Sequence, residues 1–437
     1  MAAGYRGITL SIVLALLLAL VFGLSASSQK TMTRSEDQLV VPGKAVPPAL
    51  NWPIAQTRAF AVKQEKARAI PFQIDEVNAD GKYIVTHGPQ RSVGDGLIGP
   101  NDEIVFMVLD AGDQGGRELL PPGFSQVAEL QIADPLDGGK AWVYLANYPQ
   151  NPPPLSSEDY VRFDNQITRV DTMRYAMGFH QRATLSIGYL AIKPAGGSDG
   201  QNIVDRLKIR FSAEIRGGLG SIDKNEEQFT SQTIGWIDGP VRVIRSTANQ
   251  MKLWKIKTPS AYLNNIYYLN SFEFPTEINL PFNPGVLLRD MKFRVSTDGL
   301  CRLTGHEFYN SRNTQGVVVD GAMSEAERKL DLSPYAWSAV VVSNREAAWI
   351  NRLMYDPSSP AVPMLYYNDN KAHLDPPEED PGECGDIGYQ LVNLEQVKRG
   401  KLTLVSIMYQ AANFSVARVQ EFLNILNKKL QVTSRSL

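Results

Sequence analysis

Two cysteines and four histidines in 437 residues leave little room for metal or thiol chemistry. Cys301 and Cys384 cannot build a zinc ribbon, a haem-attachment pair or a disulfide-stapled miniprotein. His87, His180, His306 and His373 never fall at HxH or HExxH spacing, which argues against a catalytic zinc. GxSxG, GxGxxG and the P-loop pattern are missing too, so the usual signatures of hydrolase elbows, dinucleotides and nucleotides are absent. Charge of one sign is also lacking: 44 Lys and Arg face 46 Asp and Glu, a net of −2. That balance excludes a dedicated nucleic-acid binder, which needs a surplus of cations against phosphate. Beyond the first thirty residues no long apolar run suggests a polytopic membrane protein.

What is present is a chain able to bury sizeable cores, 43% hydrophobic and 21% charged. Its length allows roughly three domains, or two if large β units are involved. Arg6 precedes an apolar stretch from Ile8 to Leu24, followed by Ser25-Ala26-Ser27-Ser28. A positive start, an apolar centre and small residues are the order that secretion machinery reads. Residues 1–28 are therefore expected to be a signal peptide or, if uncleaved, an N-terminal anchor, and the rest to be exported to the periplasm or outside the cell. The two cysteines then either form a bridge, closing a loop worth about 4–5 kcal/mol by chain entropy, or stay as small buried thiols.

Residues 29–45 read as a polar linker. From 46 to 148, apolar runs of strand length alternate with turn chemistry such as Asp80-Gly81, Asp95-Gly96 and Asp137-Gly138-Gly139. Ile104 to Leu109 has no polar face and should be buried on both sides of a sheet. Pro149 to Pro154 opposes helix and central strand alike, so 149–157 is read as a linker between a small N-terminal β domain and a larger one over 158–437. There the alternation is clearest: Leu207, Ile209, Phe211, Ala213 and Ile215 on one face, Lys208, Arg210, Ser212, Glu214 and Arg216 on a wet one. Further short patterns of this kind predict an antiparallel β-supersandwich. Val416, Val419, Leu423, Leu426 and Leu430 share one helix face, predicting a C-terminal amphipathic helix packed on the preceding sheet. The fold class is all-β.

Glu76, Asn78, Asp80, Asp95 and Asp102 place oxygens at spacings that could wrap calcium, although the first three read first as an Asx-rich hairpin turn. Asp375, Glu378, Glu379, Asp380, Glu383 and Asp386 crowd one segment, with His373 just before it, where a neighbouring carboxylate could make a histidine a base. Tyr366 and Tyr367, followed by Asn368, and the pair Tyr267 and Tyr268 offer rings beside amides, the chemistry that binds a sugar. Adjacent strand positions point to opposite faces, so one tyrosine of each pair belongs to a core. His180, Arg242 and Arg245 are eligible for acid, base or carboxylate-neutralising work, although Arg242 also suits the wet face of a strand.

The segments Ile70 to Glu76, Asp80-Gly81-Lys82, Asn101 to Phe106 and Ile237 to Arg245 resemble stretches of exported bacterial β-sandwich families of unassigned function. Some of these are grouped with the galactose-mutarotase-like supersandwich, among sugar epimerases and polysaccharide lyases. The resemblance spans about a third of the chain and implies the sandwich fold, but a fold does not carry an activity with it. The combined expectation is an exported cell-envelope or extracellular binding or structural protein whose partner is carbohydrate. The alternatives are a carbohydrate-active lyase or epimerase, and a membrane-anchored interaction subunit held only by its N-terminal segment.

Overall fold

The computed structural model describes residues 28–437 apart from 182, 254–255, 258–259, 281, 302–305, 343–345 and 378–383; the leader expected over 1–28 therefore lies almost wholly outside the described residues. The N-terminal unit contains β1 (Gln38–Pro42), β2 (Thr57–Lys63), β3 (Lys66–Ala69), β4 (Gln73–Asp75), β5 (Glu103–Met107), β6 (Gln126–Ala133) and β7 (Lys140–Asn147). After residues 149–157 come β8 (Val161–Asp164), β9 (Arg169–Thr172), β10 (Tyr175–Phe179) and β11 (Ile187–Ile192), a four-stranded sheet. The remaining strands are β12 (Val204–Ile215), β13 (Ser221–Lys224), β14 (Phe229–Asp238), β15 (Arg242–Leu253), β16 (Ile256–Lys257), β17 (Ala261–Tyr268), β18 (Ser271–Leu280), β19 (Leu288–Gly299) and β20 (His306–Asn310). They continue with β21 (Val317–Val319), β22 (Ser338–Val342), β23 (Ala347–Tyr355), β24 (Val362–Asn368), β25 (Asp386–Val392), β26 (Gly400–Ala412) and β27 (Gln431–Ser436). The helices are α1 (Glu325–Arg328) and α2 (Val416–Asn427).

The described strands form five sheets, all antiparallel, which bears out the all-β expectation. In the larger unit a ten-stranded sheet carries a five-stranded sheet, β13-β12-β19-β25-β24, on one face. Leu353, Leu402 and Leu404 of the large sheet meet Ile209, Met291 and Leu391 of the smaller one. The β8–β11 sheet packs further along that face through Trp349, Phe272 and Tyr175. Helix α2 covers the opposite face with Val419, Phe422 and Ile425 against Tyr409 and Ile350. The predicted apolar stripe is thus rotated towards Phe422 and Ile425. Leu430 lies beyond the helix, in the N-terminal core.

β5 shows why Ile104 to Val108 lacks a polar face. Ile104, Phe106 and Val108 enter the N-terminal core, while Val105 and Met107 pack against Tyr160, Val241, Tyr268 and Leu269 of the larger unit. Two differences from the sequence reading concern where the units begin and end. Residues 29–45 include β1, whose Leu39 and Val41 are buried against β5; five residues with two inward side chains are too few to display a period. At the other end, β27 returns to pair with β6 over Gln431–Ser436, so the last strand belongs to the N-terminal sheet. Cys301 and Cys384 are joined, with Cα atoms 4.7 Å apart, bridging the segment after β19 to the start of β25, its neighbour in the sheet.

Candidate functional site

The outer face of the β13-β12-β19-β25-β24 sheet holds the most concentrated charge chemistry described. The alternation along β12 puts Arg206, Lys208 and Arg210 on this face, but the face is not wet as expected: Arg206 and Lys208 are buried and Arg210 is half-buried. Carboxylates lie over it. Glu226, at the start of the turn before β14, pairs with Arg206 at 3.3 Å and with Arg210. Lys208 pairs with Asp298 of β19. Asp375 accepts from the Arg210 Nε at 3.1 Å and pairs with Arg294 of β19, whose guanidinium sits 4.2 Å over the Tyr366 ring. A charged strand face buries readily when each cation meets an anion and a hydrogen bond.

Asp375 and Asp386 flank Arg294 and are pushed in opposite directions. Burial raises the Asp375 carboxyl, and the guanidiniums of Arg294 and Arg210 overcome this and hold it below its ordinary value. Burial raises Asp386, and Arg294, whose Nη2 stands 4.0 Å away, offsets only part of that. Tyr366 is pushed up to about 12, chiefly by burial.

Beside this network runs an open groove of about 320 Å³ whose charged lining is Arg210, Lys224, Lys292 and Arg294 with Asp223 and Asp375, and whose polar lining includes Ser212, Asn225 and Gln390. Lys224 and Lys292 have no ion-pair partner among the described residues. A crevice of about 10 Å³, room for one water, lies next to it between Lys208, Asp298, Asn368, Asn370, Lys371, His373 and Asp386. His373, Asn368 and Asp386 thus share the crevice, while Asp375 lines the groove and Tyr366 lies under Arg294; Glu378, Glu379, Asp380 and Glu383 lie outside the described residues.

Other candidates go elsewhere. Tyr367 points the opposite way, donating to Glu327 at 2.5 Å and packing on Phe308. Tyr267 and Tyr268 are both fully buried, the first between sheets and the second beside the N-terminal unit, so neither presents a ring to a sugar. His180 accepts from the Ala183 amide at 3.1 Å in the turn before β11. Arg245 is buried with its guanidinium 4.1 Å from the centre of the Phe179 ring and its Nε donating to Thr233. Arg242 is no wet-face residue either. Its guanidinium bonds Asp75 at 2.7 Å, Glu103 at 2.5 Å and the Tyr268 hydroxyl at 3.2 Å, while Gln73 accepts from its backbone amide at 2.9 Å.

Four of the five side chains proposed for calcium accept from turn amides. Asn78 accepts from the amides of Asp80 and Lys82, Glu76 from that of Gly96, Asp95 from that of Leu97, and Asp102 from those of Val77 and Gly99. Among the described residues no three His, Cys, Asp or Glu side chains converge as metal ligands. The hairpin reading of Asn78 and Asp80 is the one these bonds favour.

Sequence reading missed Arg294, Lys224, Lys292 and the role of Asp375. The alternation over β12 signals only their neighbours Arg206, Lys208 and Arg210; the groove's other residues come from separate segments, Asp375 lying 165 positions from Arg210, and leave no local motif.

Fold and site together define an antiparallel β-sandwich protein with a cation-lined groove on an outer sheet face. No protein-family model matches the chain, and no curated protein matches it. Among solved structures it is similar to an alpha-mannosidase from Enterococcus faecalis V583, at TM-score 0.46 and 10% identity, covering 99% of this chain and 50% of that one. It is also similar to a protein in the glycosyl hydrolase family 38 from Enterococcus faecalis, at TM-score 0.45 and 10% identity, covering 95% of this chain and 48% of that one. The chain spans about half the length of these structures.

Proposed function

We propose that the chain is an exported binding protein whose groove takes an anionic carbohydrate. The observation that carries this reading is the lining: four cations against two carboxylates, with Asp375 already engaged by Arg210 and Arg294. Lys224 and Lys292 are then left facing the groove with Asp223 as their one carboxylate, a surplus of one positive charge. Amide and hydroxyl groups of Asn225, Gln390 and Ser212 suit sugar hydroxyls, and the volume lies at the lower end of that of ligand clefts. Export is supported by the expected leader and by the Cys301–Cys384 bond, which is of the kind that persists in oxidising compartments.

A carbohydrate-active enzyme is the second reading. It is favoured by Asp375 and Asp386, two carboxyls pushed apart in opposite directions beside one arginine, the pattern by which acid and base roles are divided.

One experiment tests both readings. The full chain is titrated with uronate-containing and neutral oligosaccharides, and each mixture is analysed for cleaved or isomerised product. Binding confined to the uronates, weakened at least about 10-fold in Lys224→Ala/Lys292→Ala and by raised salt, is the expected result. Binding of neutral sugars unaffected by these changes, or no binding of any, rejects the groove. Product that appears with the native chain and disappears with Asp386→Asn moves the protein to the second reading.

A further inference from the structure

At one end of the five-stranded sheet three turns are bound into a single tip. The β12–β13 hairpin turns through Gly217, Gly218 and Gly220, all in the left-handed region with φ of 83°, 72° and 115°. Its Arg216 donates from the backbone to the Leu287 carbonyl at 2.9 Å and from Nε to the Gly285 carbonyl at 2.8 Å. The third turn, before β26, joins through the Arg399 amide, which donates to Asn283 Oδ1 at 2.6 Å. Gly285 is packed so closely that a Cβ there would stand 2.4 Å from the Glu395 carbonyl oxygen.

This cross-tied tip holds large apolar side chains out in solvent: Leu219 at 79% exposure, Val286 at 71%, Leu287 at 55% and Phe282 at 48%. Leu288, Leu394 and Val397 behind them belong to the core between the sheets, so the outward four are displayed on a firm base. Single exposed apolar residues need no explanation, but four gathered on one tip mark an interaction surface. Around them lie Arg216, Lys398 and Arg399, all exposed and without an ion-pair partner among the described residues. The nearby Arg289 is shared by Glu214 at 2.5 Å and Asp290 at 3.9 Å, so these two carboxylates offset one charge of the ring and leave a surplus of two.

We propose that this tip docks on an anionic lipid bilayer, the four apolar side chains entering the boundary between headgroups and acyl chains while the three cations meet headgroup phosphates. A protein partner would need a hollow matched to four side chains from separate turns, whereas a fluid interface adapts to a protruding apolar tip. The ring of unpaired cations matches the negative surface of such a bilayer. The contact is independent of the groove and of any N-terminal anchor.

The apolar stretch from Ile8 to Leu24 would partition into vesicles by itself, so the readout must be local. An environment-sensitive fluorophore is placed on Val286→Cys in the full chain and, as a control, on the exposed Val93→Cys of the N-terminal unit. Each protein is mixed with vesicles of phosphatidylcholine or of equal parts phosphatidylcholine and phosphatidylglycerol. The expected result is a blue shift and quenching by lipid-borne quenchers at position 286 alone, on the mixed vesicles, reduced about 5-fold for each cation removed in Lys398→Ala and Arg399→Ala. An unchanged signal at 286 on both vesicles overturns the proposal. So does a shift that grows with protein concentration without lipid, which would assign the tip to self-association. Thermal melts of Leu219→Ser/Leu287→Ser, expected to match the unaltered chain while vesicle docking is lost, separate docking from folding.

Discussion

Asp110 sits just beyond β5, in a turn of the N-terminal unit that faces Tyr160 of the larger one. The Tyr160 hydroxyl donates to its carboxylate, 3.1 and 3.0 Å from the two oxygens, and Arg68 approaches to 3.5 Å. Burial outweighs these partners and pushes its pKa up to about 6, against 3.8 for a free side chain. The folded protein therefore holds a proton over an interval in which the unfolded chain has released it, and folding takes that proton up. The resulting stability is fully present below about pH 3.8 and is lost as pH rises through about 6. Asp110→Asn keeps an oxygen for Tyr160 and removes the charge. Its Tm at pH 7 is expected to exceed that of the unaltered chain by on the order of 2 °C, with the gap closing towards pH 4. His306 acts in the other direction: burial lowers it to about 4, so its contribution is lost as pH falls from 6.5 through that value. It is common to both proteins and cancels in their difference. A gap independent of pH would show that Asp110 does not titrate where its surroundings place it.

Among the elements, the strand that closes the chain has the largest consequence for its size. β27 supplies the fifth strand of the β27-β6-β7-β2-β3 sheet, satisfying the edge of β6, and its Arg435 bonds Glu129 at 2.7 Å. Glu129 also accepts from the Tyr144 hydroxyl at 3.2 Å. Ending the chain at Leu430 should lower amide protection across residues 128–132 at least about 10-fold in hydrogen exchange while leaving β23 and β26 protected. Equal loss in both places, or in neither, would contradict the pairing. Nothing in Gln431 to Ser436 announces a strand of a distant sheet, because one apolar residue, Val432, alternates with polar neighbours on an edge. Elements with a buried face on many residues were legible: the alternation of β12, the run of β5 and the stripe of α2 all correspond to real cores. What could not be read was which charged faces are covered. Lys208 and Arg210 read as solvated because their cover, Asp298, Glu226 and Asp375, is supplied by other segments. His373, Tyr366 and Asn368 were found as types of chemistry, while the groove's cations had no local pattern to give them away.

Over the whole molecule, the two units are joined by more than their linker. The chain crosses between them at 149–157 and again after α2, and Val105, Met107, Tyr160, Val241, Tyr268 and Leu269 form a core that both share. Arg242 pins that core. It reaches from β15 to Asp75 of β4 and Glu103 of β5, while Gln73 donates to Asp75 at 2.9 Å and accepts from the amides of Val241 and Arg242. Gly239 makes the approach possible, since a Cβ there would stand 2.3 Å from Gln73 Oε1. The segments around Gln73, Glu103 and Arg242 thus meet at one junction. Arg242→Met would leave the buried Asp75 carboxylate without its cation, and burial already pushes that carboxyl up. The cost of such a loss is about 3–5 kcal/mol, enough to loosen one unit from the other. The unaltered chain is expected to unfold in one transition followed alike by near- and far-ultraviolet dichroism, and Arg242→Met to melt lower and in two steps. Adding Asp75→Asn removes the stranded charge while keeping an oxygen for Gln73, and should recover at least half of the loss. If Arg242→Met melts within about 1 kcal/mol of the unaltered chain and still in a single step, the shared apolar core joins the units without the arginine.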